Sequence, residues 1–436
     1  MKILKGFSKL SSEEKRRLAV SSCADPEAAK EELESFIHPD PDIQQILEGI
    51  SENTVSNYPL PYNVAPNFIV NGKQYMVPMV IEESSVVAAA SSAARFWAAR
   101  GGFHAQVESK TKVGQLHFLF TGDHNRLNAA MTEIEAFLRN YVAPVTRNME
   151  RRGGGIRQLQ LKERSDILGN YFQLLATFDT IDAMGANFIN SCLEEFAEGL
   201  KAFFKDTEDF HADDFEPLMA ILSNYNDKCL VHVSASCKLE ELEEATALLS
   251  ARDFARRFVM AVRIAESDVY RATTHNKGIM NGVDAVILAT GNDFRAIEAA
   301  AHAYAARSGQ YRSLSTATIE NGIFTISLKM PMALGTTGGL TRLHPLASRS
   351  LEILENPTAS ELMRIAGAAG LANNFAAVRS LTTTGIQSGH MRMHLSNIIL
   401  QLKTTPEETE KIKARFEDKK VSYQAVVSYL EKLRTP

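Results

Sequence analysis

The stretch FIVNGKQYMVPMVI, residues 68–81, sets two apolar runs around Asn71-Gly72. Both central positions of a two-residue hairpin turn want positive φ, which Asn-Gly supplies, so the chain is predicted to double back here into paired strands. Glu82 and Glu83 follow the second run. Next comes SSVVAAASSAARFWAAR, 84–100, whose small residues permit close packing on several sides, as in a buried helix. This order predicts a carboxylate, Glu83, at a strand-to-helix junction near the positive end of a helix dipole.

From Lys110 the pattern reads as a separate module: a strand around Gln115, a helix over HNRLNAAMTEIEAFLRNYV, strands at IRQLQLKE and YFQLLATFDTI, and a helix over GANFINSCLEEFAEGLKAFF. Strand, helix, two strands, helix suggests a split β-α-β unit of ferredoxin-like type, ending near Pro217. CLVHVSAS (229–236) resumes strand character, and ARDFARRFVMAVRIAESD is helical. RATTHNKGIMNG reads as a loop carrying Lys277, DAVILAT (284–290) as an inner strand, and FRAIEAAAHAYAAR (294–307) as the helix that strand feeds. Ser11-x-x-Glu14 and Thr405-Pro406-Glu407-Glu408 are capping boxes. PDPDIQQILEGI (39–50) suggests a short helix, NPTASELMRIAGAAGLANNFAAVRSLTT packed helices, and 388–402 a further helix. Since single domains span about 100–200 residues, a chain of 436 should hold two or three.

A net charge of -5 argues against a nucleic-acid binder with a basic face. Any anionic ligand must be met by local cations. Cys23, Cys192, Cys229 and Cys237 lie far apart with no C-x-x-C pair, so neither a disulfide framework nor a zinc site is signalled, and a reducing cytoplasm fits. No apolar run is long enough for a signal peptide or a membrane span.

Taken singly, the polar residues have ordinary readings. Asp293 opens a helix and suits an N-cap, Lys277 suits a solvated surface charge, and Glu83 a first-turn carboxylate. Together, an ammonium and carboxylates at the ends of core elements can converge, shift one another's pKa and serve as oxyanion stabiliser and proton source. His390 and His394 stand at i, i+4, yet no H-E-x-x-H glutamate or third ligand accompanies them, so no metal is expected. One of the pair could act as a general acid, or both could be helix histidines bonded to neighbours. DAMGAN (182–187) follows a strand and opens a helix, where backbone N–H groups can receive a phosphate; a simple tight turn at Gly185 accounts for it equally.

ENTVSNYPLPYNVAPNFIVNG (52–72), VPMVIEESSVVAAAS (77–91), DAMGAN, RATTHNKGIMNG (271–282), ATGNDFRAIEA (289–299) and GIQSGHMRMH (385–394) resemble class II 3-hydroxy-3-methylglutaryl-coenzyme A (HMG-CoA) reductase, in the same order and across nearly the whole chain. The resemblance implies an α+β fold. A large mixed α/β substrate-binding domain (1–109 and 220–384) would carry an inserted ferredoxin-like dinucleotide-binding domain (110–219) and a C-terminal helical flap (385–436). It implies reduction of HMG-CoA by two hydrides to mevalonate and free coenzyme A, by a cytoplasmic homodimer or an assembly of dimers, with the site at the dimer interface and neither membrane nor nucleic acid involved.

It also implies roles. Lys277 would polarise the thioester carbonyl, Glu83 would supply a proton, Asp293 would tie the two into one network, and His390 would protonate the departing thiolate. Ser85 and Arg271 would bind the substrate carboxylate, with Asn224 and Asn281 as polar contacts. Asp182, Met184, Gly185 and Asn187 would lie at the cofactor. Family members that use NADH place an aspartate about seven residues before the glycine triplet, where it can bind the ribose 2′-hydroxyl. Here that position is Thr146, followed by Arg147 and, nearby, Arg151 and Arg152, which favours NADPH over NADH. Ser84 stands where a proline often follows the glutamate. The same catalyst run backwards would oxidise mevalonate with NAD, and a non-catalytic binding relative is a third reading, disfavoured because all four catalytic residues are present.

Overall fold

A computed structural model describes residues 3–246, 248–383, 395–396, 398–416 and 421–434. The Asn-Gly turn forms as expected: β1 (Tyr62–Val70) and β2 (Lys73–Val80) pair antiparallel, with Asn71 at φ 50° and Gly72 at φ 81°. The helix Val86–Ala98 then buries its small-residue faces, and its Trp97 lies fully inside, against Phe375 at 5.1 Å between ring centres.

Two four-stranded antiparallel sheets follow. β4 (Lys112–Phe120), β5 (Gly155–Glu163), β6 (Tyr171–Asp179) and β7 (Phe215–Ser223) stand in the order β5-β6-β4-β7. Three short helices (His124–Ala129, Met131–Tyr141, Ala143–Glu150) join β4 to β5, and the helix Ala186–Asp206 joins β6 to β7. That is the split β-α-β arrangement read from the sequence, with its own core of Phe118, Phe120, Phe172, Phe178, Phe196 and Phe204. Its last strand runs on to Ser223, beyond residue 219. The second sheet joins β3 (His104–Val107), β8 (Leu230–Lys238), β9 (Ser315–Glu320) and β10 (Ile323–Pro331) in the order β3-β8-β10-β9.

The segment around Lys277 departs from the sequence reading. DAVILAT is no strand and RATTHNKGIMNG no loop: Val269–Ala289 is one helix of 21 residues. A short apolar run cannot by itself be assigned to strand or helix. The polar residues decide it, because Arg271, Thr274, Lys277, Asn281 and Asp284 recur every three or four positions, one stripe along a helix. Gly282 looks like a breaker but serves close packing. A Cβ there would sit 2.3 Å from the Ala369 carbonyl oxygen of the helix Ala359–Thr382, which crosses at that point. Behind Lys277, Asn276 is fully buried and clamps the Arg312 carbonyl (2.9 Å) and the Leu314 N–H (3.0 Å). The stripe is therefore mounted on a rigid element.

Near the C-terminus, Glu408 accepts from the Thr405 N–H (2.8 Å), completing the expected capping box of the helix Pro406–Phe416. That helix shares a small core with Tyr423–Arg434 through Ile412, Phe416, Val426 and Leu430. His390, His394 and much of the helix expected over 388–402 lie outside the described residues. Among the described residues no helix is long and apolar enough to cross a membrane.

Candidate active site

Three of the expected groups meet at the strand-to-helix junction. Glu83 lies just after β2, and its Oε2 accepts from the Lys277 ammonium and, at 3.4 Å, from Asn281 one turn further along the lysine's helix. Glu83 and Lys277 are 194 residues apart, with side chains 37% and 60% exposed. A pair this exposed contributes only about 0–1 kcal/mol, too little to explain the arrangement by stability. Ser85 holds a left-handed φ of 74° at the mouth of the helix Val86–Ala98, yet its hydroxyl caps nothing. A non-glycine residue in that conformation costs on the order of 1 kcal/mol and is concentrated at functional sites.

These residues line a cleft of about 250 Å³ with Arg271, Thr274, His275 and Asn374. Arg271 is half-buried and makes no ion pair among the described residues; burial lowers its pKa from the usual guanidinium value. A planar guanidinium left unpaired in a cleft suits a carboxylate, which it can grip through two parallel bonds.

Asp293 stands elsewhere. It caps the helix Phe294–Ala305 by accepting from the Ala296 N–H (3.2 Å) and pairs with Arg295 (3.3 Å). The expected hydrogen bonds to Glu83 and Lys277 do not form within one chain. The reason is the helix: from Lys277 to its end at Ala289 the axis rises roughly 18 Å, and Asp293 lies beyond that end. Asp293 instead lines a second cleft, of about 290 Å³, with Asn224, Met184 and Lys112.

The second cleft is built on backbone. Gly185 opens the helix Ala186–Asp206 at φ 93°, pressed so close to Thr180 that a Cβ would lie 2.4 Å from its methyl. Asp182 is occupied structurally: its carboxylate accepts from the Ala359 N–H (2.8 Å) and its carbonyl from the Thr336 N–H (2.8 Å). Asn187 is exposed. Lys112, missed in the sequence, is almost fully buried, and its ammonium donates to the Ala183 (2.7 Å) and Met184 (2.8 Å) carbonyls and to the Thr180 hydroxyl (2.5 Å). Burial pulls its pKa down to about 8. The one available signal was a charged residue at the head of a strand whose same-face positions, Gly114, Leu116, Phe118 and Phe120, carry no polar side chain.

Two other groups escaped the sequence reading. Asp284, one turn beyond Asn281, has its pKa pushed up to about 8 by burial and by Glu298 and Glu82. His275 is buried beside Arg271 and bonded to Ser315 and Asn374. Around the expected dinucleotide position, Thr146 is buried, whereas Arg147, Arg151 and Arg152 are exposed. Among the described residues no cluster of His, Cys, Asp and Glu could hold a metal ion.

Comparison with known proteins gives the same reading. The sequence model of hydroxymethylglutaryl-coenzyme A reductase matches residues 12–395. The chain is 34% identical to the 3-hydroxy-3-methylglutaryl-coenzyme A reductase of Archaeoglobus fulgidus, over 99% of this chain and 94% of that protein. It is 32% identical to the probable enzyme of Borreliella burgdorferi, over 83% and 80%. Among solved structures it is similar to 3-hydroxy-3-methylglutaryl-coenzyme A reductase of Streptococcus pneumoniae, with TM-score 0.73 and 33% identity over 98% of this chain and 99% of that one. The class II enzyme of that organism, bound to NADPH in open conformations, gives TM-score 0.72 and 35% identity over 87% and 99%. A lysine–glutamate pair sharing a cleft with an arginine that has no ion pair among the described residues, on a fold and sequence shared over 83–99% of the chain with these proteins, places the chain in the hydroxymethylglutaryl-coenzyme A reductase family, as a class II member.

Proposed function

We propose that the protein reduces the thioester of HMG-CoA to mevalonate and free coenzyme A, consuming two NADPH and two protons. The observation that carries this reading is the Lys277–Glu83 pair in a cleft that also holds Arg271 and Ser85. Arg271 and Ser85 fix the terminal carboxylate of the substrate, leaving its thioester carbonyl at the pair. Lys277 stabilises the oxyanion formed at each reduction, a role that preorganised donors perform at low reorganisation cost. Glu83 delivers the proton that turns the oxyanion into a hydroxyl, and Asn281 holds that carboxyl in place. His390 protonates the coenzyme A thiolate as it leaves. NADPH supplies the hydride in both steps.

The residues available for that cofactor fit it. The backbone opening at Gly185 presents a helix N-terminus, and the exposed Arg147, Arg151 and Arg152 offer cations for a 2′-phosphate with no carboxylate at position 146 to repel it. Thr146, being buried, acts here only by not being acidic. We further read the working site as shared by two copies of the chain, in the cytoplasm. One copy supplies Glu83, Lys277, Asn281, Arg271 and Ser85, and its partner supplies Asp293 and Asn224 from the second cleft. The separation of the two clefts within one chain supports this assignment.

The test is a spectrophotometric assay of purified protein with HMG-CoA. Oxidation of NADPH is expected on adding the thioester, faster than oxidation of NADH. No thioester-dependent oxidation of either would refute the function. Equal or better use of NADH would refute only the arginine argument.

A further inference from the structure

His275 sits one turn beyond Arg271 on the same helix face and lines the same cleft. Its Nε2 lies 3.0 Å from the Asn374 side-chain nitrogen and 2.6 Å from the Ser315 hydroxyl, whose oxygen also lies 2.9 Å from Asn374 Oδ1. With the Asn374 amide nitrogen turned toward it, Nε2 accepts from that nitrogen and from the Ser315 hydroxyl, which places the ring proton on Nδ1. That Nδ1–H is buried and has no hydrogen-bond partner among the described residues.

We propose that His275 is a substrate-binding residue, whose Nδ1–H donates to the carboxylate that Arg271 grips in the acyl cleft. A histidine retained for structure alone would have both ring nitrogens bonded, because a buried N–H without an acceptor costs stability. Here the described residues donate to one side of the ring only, and the remaining N–H belongs to a residue of the cleft wall. Its neighbour at i−4 is the cation expected to hold an anionic oxygen, so one ligand carboxylate can satisfy both. Burial and the nearby Arg271 charge pull the imidazole pKa down to about 3, so the ring brings a neutral donor beside the guanidinium rather than a second charge. The Ser315–Asn374 triangle fixes the tautomer and the ring plane, as outer partners do for other functional histidines.

This inference rests on the proposed acyl-binding role of the cleft, and its test separates the two. Dissociation constants for HMG-CoA are measured by calorimetry on the full-length protein, its His275→Gln and His275→Asn variants, with steady-state kinetics and melting temperatures beside them. Glutamine can keep a polar group near Nε2 but not the Nδ1 donor, whereas asparagine keeps a donor near Nδ1 and abandons Ser315 and Asn374. We expect His275→Gln to weaken binding and raise KM on the order of tenfold, with kcat and melting temperature close to the parent. His275→Asn should bind near normally while melting earlier. In protein labelled with 15N-histidine, the His275 resonance should report the Nδ1–H tautomer and shift on adding HMG-CoA. Affinity that follows melting temperature in both variants, or an Nε2–H tautomer, overturns the inference and leaves the enzyme reading intact. Failure of the parent protein to bind HMG-CoA overturns both.

Discussion

The two clefts are built in opposite ways. In the first, chemistry hangs from side chains on and beside a helical stripe: an exposed ammonium, a carboxylate across from it, and a guanidinium without an ionic partner among the described residues. In the second, the backbone dominates, with a left-handed glycine, a helix cap at Asp293, and a buried lysine spending its donors on Thr180, Ala183 and Met184. The first has the charges for reaction but lacks Asp293; the second has Asp293 and Asn224 but neither Glu83 nor Lys277. The difference teaches that within one chain the reactive pair and Asp293 are held apart at the two ends of the lysine helix, which is what the proposal of a site shared by two copies has to bridge.

The sharpest blow to this division is Lys277→Ala. A loss of about 10²–10³ in kcat is expected, with an unchanged melting curve, since the side chain is 60% exposed and packs little. Near-normal turnover would remove the oxyanion role. Next, Glu83→Gln and Asp293→Asn chains, each inactive alone, are co-expressed with separate tags and the hybrids purified. If the halves come from different copies, each hybrid dimer carries one intact site, and a random mixture recovers about a quarter of parental activity. Hybrids as inactive as their parents would place all catalytic groups in one chain.

The smallest effect concerns Asp284, which lies between the clefts, on the lysine helix and against Glu298 of the helix that Asp293 caps. Its folded pKa is raised from 3.8 to about 8, so between those values the native state binds more protons than the unfolded chain. Stability from this group is therefore present in acid and is lost as pH rises through that window. Asp284→Asn should melt progressively higher than the parent from pH 5 to about pH 8, by about 1 °C for each kcal/mol relieved in a chain of 436 residues. An offset independent of pH would show that the carboxyl does not titrate there.

Much of this was legible in the sequence where local rules suffice. Asn71-Gly72 dictates its turn, Ser11, Glu14, Thr405 and Glu408 announce helix starts, and the alternation from Lys112 to Ser223 gives the small sheet's strands. The lysine helix was misread because Asn276, Gly278 and Gly282 look like loop residues. Only the crossing helix explains Gly282, and only the Arg312–Leu314 segment explains Asn276. The resemblance supplied the membership of the site, but whether Asp293 meets Lys277 depends on where a helix points, which no motif encodes. Lys112, His275 and Asp284 were invisible for a related reason: their significance is burial, set by neighbours distant in sequence.

Asp182 and Lys112 together fasten the segment between β6 and the helix Ala186–Asp206 from two directions. Lys112 grips it from the first residue of β4, while Asp182 holds the Thr336 and Ala359 amides of the larger body. A swing of the small sheet that kept these bonds would turn about this spot, as a door turns on its pin. Met184, at the pin, would hardly travel, and neither would Gly153–Gly155, because Gly154 lies against Asp179 and Ile181; the opposite end of the sheet, where Glu163 and Tyr171 turn β5 into β6, would sweep the widest arc. The floor of the second cleft and the neighbouring glycine triplet would then keep their shape while the far turn moves.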